Sequence, residues 1–207
     1  KTSIPTTKNR TDQNSSVMGR RENSAQSTPT TPRSETRIQL GDLLLGDNRY
    51  WEAIQVYRQA KAGASQEQLV RASTGLLGAL MQVAEFTWAL DESDYLRGLA
   101  PQDHEVWALN GDAHWAAGLF DEAEQIYRDV LALDPGSGRA RHGLAKSLAT
   151  RHQYDDALDW AKAALEASPD DAASHYTVGS IYERMHRFPE AADAFERYVD
   201  VLAAHNP

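Results

Sequence analysis

The sequence predicts an all-α solenoid, five stacked helical hairpins behind a polar N-terminal tail. Three columns predict it. Ala53, Ala89, Ala123, Ala157 and Ala191 recur, the last four 34 residues apart and the first gap 36 residues long. An aromatic residue (Tyr50, Phe86, Phe120, Tyr154 or Phe188) stands three positions before each alanine, and Gly41, Leu77, Gly111, Ala145 and Gly179 stand twelve before. Columns held in register at a fixed period mark a repeat array in which each unit packs on its neighbours.

The units run over residues 34–69, 70–103, 104–137, 138–171 and 172–205, within a repeat domain of residues 34–207. In each first helix the mostly small eighth position faces the alanine column of the second helix. Two helices approach closely only where neither projects bulk. Positions seven and eleven carry Leu40 and Leu44, Leu76 and Leu80, Leu144 and Leu148, and Val178 and Tyr182, an i, i+4 apolar stripe. Unit three departs with Asn110 and His114. The stretch Ala60–Ser65, with Gly63 as a helix stop, absorbs the two extra residues of the first gap in a longer loop. Asp121-Glu122, Asp155-Asp156 and Pro189-Glu190 precede or open second helices, where acidic groups meet the positive helix end. Pro101, Pro135 and Pro169 close three units.

This pattern resembles the tetratricopeptide repeat, with its Trp, Leu-Gly, Tyr, Ala, Phe and Pro signature. Unit three carries Trp107, Gly111, Phe120, Ala123, Tyr127 and Pro135, and unit five Gly179, Tyr182, Phe188, Ala191 and Phe195. Units two and four are looser, with Leu77 at the small position and Ala161 where an aromatic is usual. The resemblance implies a right-handed solenoid that binds peptides or protein surfaces, with Trp107 as a packing residue.

Residues 1–33 are a different material, dominated by Ser, Thr, Asn and Gln. So polar a segment is expected to be disordered. Ser27-Thr28-Pro29 and Thr30-Thr31-Pro32 offer modification sites, and Asn9-Arg10-Thr11 and Asn14-Ser15-Ser16 match an N-glycosylation pattern. Lys1, Lys8, Arg10, Arg20, Arg21 and Arg33 make the tail basic, so the net charge of −9 is concentrated on the repeats. An acidic array is a poor nucleic-acid binder. No apolar run approaches the roughly 18 residues of a membrane span. No nucleophile elbow, phosphate loop or paired metal-ligand motif appears, so the expectation is a non-enzyme without cofactor or metal. His152 and His186 share a turn position and read as turn residues. The compartment stays open.

In the resembled family the concave groove is lined by positions two, five, nine and twelve of the first helices. Here that gives Glu35, Ile38, Asp42 and Leu45 in unit one, Arg71, Thr74, Gly78 and Met81 in unit two, and Glu105, Ala108, Asp112 and Trp115 in unit three. Unit four gives Arg139, His142, Lys146 and Ala149, and unit five Ala173, Tyr176, Ser180 and Glu183. The groove is thus expected to change from acidic to basic at unit four. Trp115 lies outside the packing columns and is either a binding anchor or a packing residue against Met81 or Ala149. Trp51, Trp88 and Trp160 fall on second helices. The Lys/Asn pattern with which one subclass grips two carboxylates is absent in either frame. The expected function is an adaptor holding a protein or peptide ligand in its groove. The alternatives are a targeting region of a larger enzyme, or a module that self-associates through the apolar last helix, where Phe195, Tyr198, Val199, Val201 and Leu202 have no following helix.

Overall fold

The computed structural model describes residues 31–205, which form ten α-helices and, among the described residues, no strand. Unit one is α1 (Thr31–Gly46) and α2 (Tyr50–Ala60). Unit two is α3 (Gln66–Gln82) and α4 (Phe86–Leu99), and unit three is α5 (His104–Ala116) and α6 (Phe120–Leu133). Unit four is α7 (Gly138–Thr150) and α8 (Tyr154–Ala167), and unit five is α9 (Ala172–Arg184) and α10 (Phe188–His205). Each helix packs on the next in sequence. First helices also pack on first helices across units, α1 on α3 through α7 on α9, whereas among the described residues no second helix has a second helix as backbone neighbour. The first helices therefore lie on the tighter, inner side of the solenoid.

The five hairpin turns are built alike. At the fifteenth position of every unit the backbone is left-handed: Asn48, Ala84, Gly118, His152 and His186 have φ between 59° and 81°. The next residue donates its N–H to the carbonyl five back, as in Arg49 to Leu44, Glu85 to Leu80 and Leu119 to His114. This Schellman geometry satisfies carbonyls orphaned at the first helix's end. It also feeds the chain straight into the second helix, so α2, α4, α6 and α8 begin without a side-chain cap. Asp121, Glu122, Asp155 and Asp156 lie inside first turns, where they favour the positive helix end. Side-chain caps belong to the first helices, from Ser65, Asp103, Ser137 and Asp171.

Between the hairpin halves the alanine column is buried as expected: Ala53, Ala89, Ala123 and Ala157 are fully covered and Ala191 nearly so. The tightest contacts are aromatic. Tyr57 and Tyr127, both completely buried, stand at the twenty-fourth position of units one and three. A Cβ on Gly41 would lie 2.5 Å from the Tyr57 ring and one on Gly75 2.3 Å, so the ring is clasped between its own first helix and the next. Gly111 and Gly143 clasp Tyr127 in the same way, at 2.7 and 2.2 Å. Unit two inverts the volumes. Its twenty-fourth residue is Ser93, and the two facing positions are Leu77 and Leu109. Asn110 fills the same region, its Nδ2 donating to Ser93 Oγ at 2.9 Å and to Asp94 Oδ1 at 3.0 Å. The departure of unit three from the apolar stripe is thus a cross-unit hydrogen bond.

Three expectations are corrected. Helix α1 begins at Thr31, inside the stretch read as tail; the rest of that tail, with its modification and glycosylation patterns, lies outside the described residues. The two-residue insertion does more than lengthen a loop. Helix α2 has 11 residues and α3 has 17, where α4 and α6 have 14 and α5 and α7 have 13, so the unit boundary moves toward the N-terminus. Leu40 is exposed where Leu76, Leu144 and Val178 are buried, because no described helix precedes α1. At the other end Val199 and Leu202 are exposed on α10.

Three substitutions, one of them in a double-mutant cycle, check this account. Ala84 is exposed at φ 59°, a conformation that costs an L-residue about 1 kcal/mol, so Ala84→Gly should raise stability by about that amount. Gly118→Ala should lower it similarly. Gly143→Ala should cost about 1–3 kcal/mol through overpacking, and in a double-mutant cycle that cost should largely vanish in a Tyr127→Ala background.

Candidate ligand groove

The inner surface carries a recurring polar lock. Tyr57 donates its hydroxyl to Asp42 Oδ1 at 2.6 Å, and Tyr127 donates to Asp112 Oδ1 at 2.7 Å. Burial first, then the bonded carboxylate, pushes both phenols well above their ordinary range, so they stay protonated donors. At the second position of the next unit an arginine reaches back. Arg71 pairs with Glu35 at 2.9 Å. Arg139 pairs with Asp112 at 2.8 Å and Glu105 at 3.2 Å. Burial works against the Arg139 cation, but the two carboxylates outweigh it and hold its pKa above the usual value. The expected change of sign along the groove is therefore partly neutralised within the protein: Arg71 holds Glu35 and Arg139 holds Glu105 and Asp112, while Asp42 accepts from the Tyr57 hydroxyl.

The lock is missing between units four and five. Its acidic ninth position is taken by Lys146 and its arginine position by Ala173. A hollow of about 520 Å³ opens there, walled by Trp115 from α5, His142 and Lys146 from α7, Tyr176 and Arg184 from α9, and Tyr198 from α10. A second hollow of about 590 Å³ adjoins it on the unit-three side, where Met81, Asp112 and Arg139 join the same Trp115, His142 and Lys146. Both volumes fall within the range of small-ligand sites.

Trp115 is half-buried and shared by both hollows. Its ring meets Phe120 edge-on at 5.8 Å, and the Lys146 ammonium lies 3.8 Å over the ring. Its indole nitrogen is buried with no hydrogen-bond partner among the described residues. Packing residue and groove wall are thus one side chain. His142 meets Thr177 Oγ1 across the unit boundary at 2.9 Å. Burial, then the nearby Lys146 cation, lowers the His142 pKa and favours the neutral ring; burial likewise lowers the pKa of Lys146.

Of the other expected groove residues, Asp42 and Arg71 stand away from these hollows in the locks of units one and two. Position five does not serve the groove in units one and three: Ile38 and Ala108 are fully buried. Helix-to-helix packing on the inner side claims them. Trp107 is half-buried in the core under the Arg97 guanidinium, 4.5 Å from its ring. Trp51 and Trp88 are exposed on second helices. His152 and His186 are turn residues, His152 bonded to the Tyr154 hydroxyl at 2.6 Å and His186 edge-on to Phe188 at 5.9 Å. Arg184 was missed by the column reading. It stands one residue past the twelfth position, yet it is four after Ser180 and so continues the same helical stripe.

Two tetratricopeptide-repeat family models match the chain, over residues 83–138 and 114–181. The Hsp70-Hsp90 organizing protein of Triticum aestivum is 32% identical over 87 residues, which is 42% of this chain and 15% of that protein. The TPR repeat-containing protein YpiA of Bacillus subtilis (strain 168) is 27% identical over 79 residues, 38% of this chain and 19% of that one. The chain therefore matches less than a fifth of the length of either curated relative. Among solved structures, TTC0263, a thermophilic TPR protein of Thermus thermophilus, superimposes with a TM-score of 0.69 at 18% identity, covering 82% of this chain and 99% of that one. A MamA structure, AMB-1, gives 0.55 at 20% identity, with 83% and 98% covered. At such identities these structures speak for the fold.

Proposed function

The chain belongs to the tetratricopeptide-repeat family, generally non-catalytic scaffolds for protein interaction, and we propose that it holds an extended peptide segment of a partner protein in the concave groove. The observation that carries this is the pair of adjoining hollows on the inner face, joined at Trp115 and Lys146. A tryptophan wall offers large apolar contact at little cost in side-chain entropy, which is why tryptophan dominates many interface hot spots. The neighbouring cation gives the ligand a polarity, with an apolar anchor against Trp115 and acidic character toward unit four. Met81, Asp112, Arg139, His142 and Tyr176 complete the surface, and Asp42 and Arg71 lie on its extension toward unit one.

Selection from a random peptide library, followed by fluorescence anisotropy on the selected peptides, tests this. Trp115→Ala should weaken binding by more than about 2 kcal/mol, the magnitude of a hot spot. Trp88→Ala, on the outer face, should leave affinity unchanged. Equal binding by both folded variants would move the interaction off the inner face.

A further inference from the structure

We propose that the hollow between units four and five recognises a carboxylate carried on an apolar body, with Lys146 and Arg184, and not Arg139, as its cations. This rests on the groove reading above and narrows it. The lining of the hollow includes no aspartate or glutamate, although the chain as a whole carries a net charge of −9. Arg71 and Arg139 are bound to carboxylates of the protein, which leaves them little capacity for a ligand. Lys146 and Arg184 differ. The Lys146 ammonium rests on the Trp115 ring and makes no direct carboxylate ion pair among the described residues, with Asp112 of the adjoining hollow acting on it only at longer range. Arg184 makes only a long contact among the described residues, 3.5 Å to the Ala149 carbonyl. Where units three and four place Asp112 against Arg139, this boundary offers a cation and an open space. A ligand carboxylate restores the missing half of the lock.

The walls decide what carries that carboxylate. Tyr176 stacks at tilted angles on Phe195 and Tyr198, 5.7 and 5.5 Å away, and Ile181 and Ala149 line the floor. An apolar or aromatic body gains burial there, while the charged end meets a partly desolvated cation, where an ion pair is stronger than in water. The N-terminus of α9 is capped by Asp171 and so supplies no free backbone N–H donors for the additional oxygens of a phosphate. Carboxylates of this form come from an acidic side chain, a peptide's C-terminus or a small organic acid.

The test uses 4-phenylbutyrate and its neutral isostere 4-phenylbutyramide as probes, followed through the indole N–H signals of the ¹⁵N-labelled protein. Trp115 should be the indole that shifts, with the acid binding at least about fivefold more tightly than the amide. Lys146→Gln and Arg184→Gln should each remove that preference while melting like wild type, whereas Arg128→Gln, a cation paired with Glu124 on α6 away from the hollow, should keep it. Equal affinity for the two probes, no binding of either, or shifts at Trp51 or Trp88 instead would overturn the proposal. Peptides selected as above distinguish the sources. Weakening on C-terminal amidation points to the chain end and weakening on Glu→Gln to a side chain; indifference to both counts against a carboxylate. Peptides that bind through Trp115 without any preference for the acid would leave the groove reading standing and defeat this one.

Discussion

Every joint of the array depends on one steric constraint: the volume at the twenty-fourth position of a unit must complement two facing positions, one on its own first helix and one on the next. Where that residue is Tyr57 or Tyr127, both facing positions are glycine. Where it is Ser93, both are leucine, and where it is Ala161 they are Ala145 and Thr177. Protein interiors are packed too densely for any of the three to vary alone. A buried tyrosine removes roughly 150–250 Å² from water, worth several kcal/mol at about 25 cal/mol per Å². Each clasp therefore fixes both the hairpin angle and the unit-to-unit approach. The chain alternates clasped and unclasped joints, so its effective structural period is two repeats.

That alternation sets the chemistry of the inner face. Each clasped tyrosine brings its hydroxyl to the first-helix aspartate, and at Tyr127 that aspartate, Asp112, also accepts from Arg139 of the next unit. Packing in the core thus organises an ion network on the groove. At the joint with Ala161 no phenol arrives, and the aspartate and arginine positions hold Lys146 and Ala173. The loss is local, since Leu144, Ala145, Leu148 and Val178 still bury the joint. The result is a firm floor with an open charge above it. A preorganised site of this kind loses little entropy when it is filled.

The fold was legible because the repeat prints the same steric demand several times, and the alanine and glycine columns answer it residue by residue. Single-unit reading failed where one unit compensates for another. Leu77, Ser93 and Asn110 each read as a departure from the pattern; together they fill one joint. The same limit affected the groove. Counting positions two and nine found Arg139, Glu105 and Asp112 but not that they bind one another, since the partners lie in different units. Ile38 and Ala108 read as groove positions from the family's column pattern, whereas neighbouring first helices here pack directly on one another. Arg184 escaped because four fixed positions per unit sample a helical stripe too coarsely.

The last helix has a second role that follows from the same geometry. Phe195 occupies the clasp position of unit five against Gly179, where a Cβ would lie 2.7 Å from the ring. This contact sets the angle of α10 over α9. That angle carries Tyr198, one turn further along, across to Tyr176 at the edge of the hollow. The wall of the groove at unit five is therefore tied to a core contact, since the Phe195 ring that meets Gly179 also stacks on Tyr176 at 5.7 Å. Substituting a small residue for Phe195 would loosen the clasp and withdraw the Tyr198 wall together, so stability and the shape of the hollow are coupled through one aromatic ring.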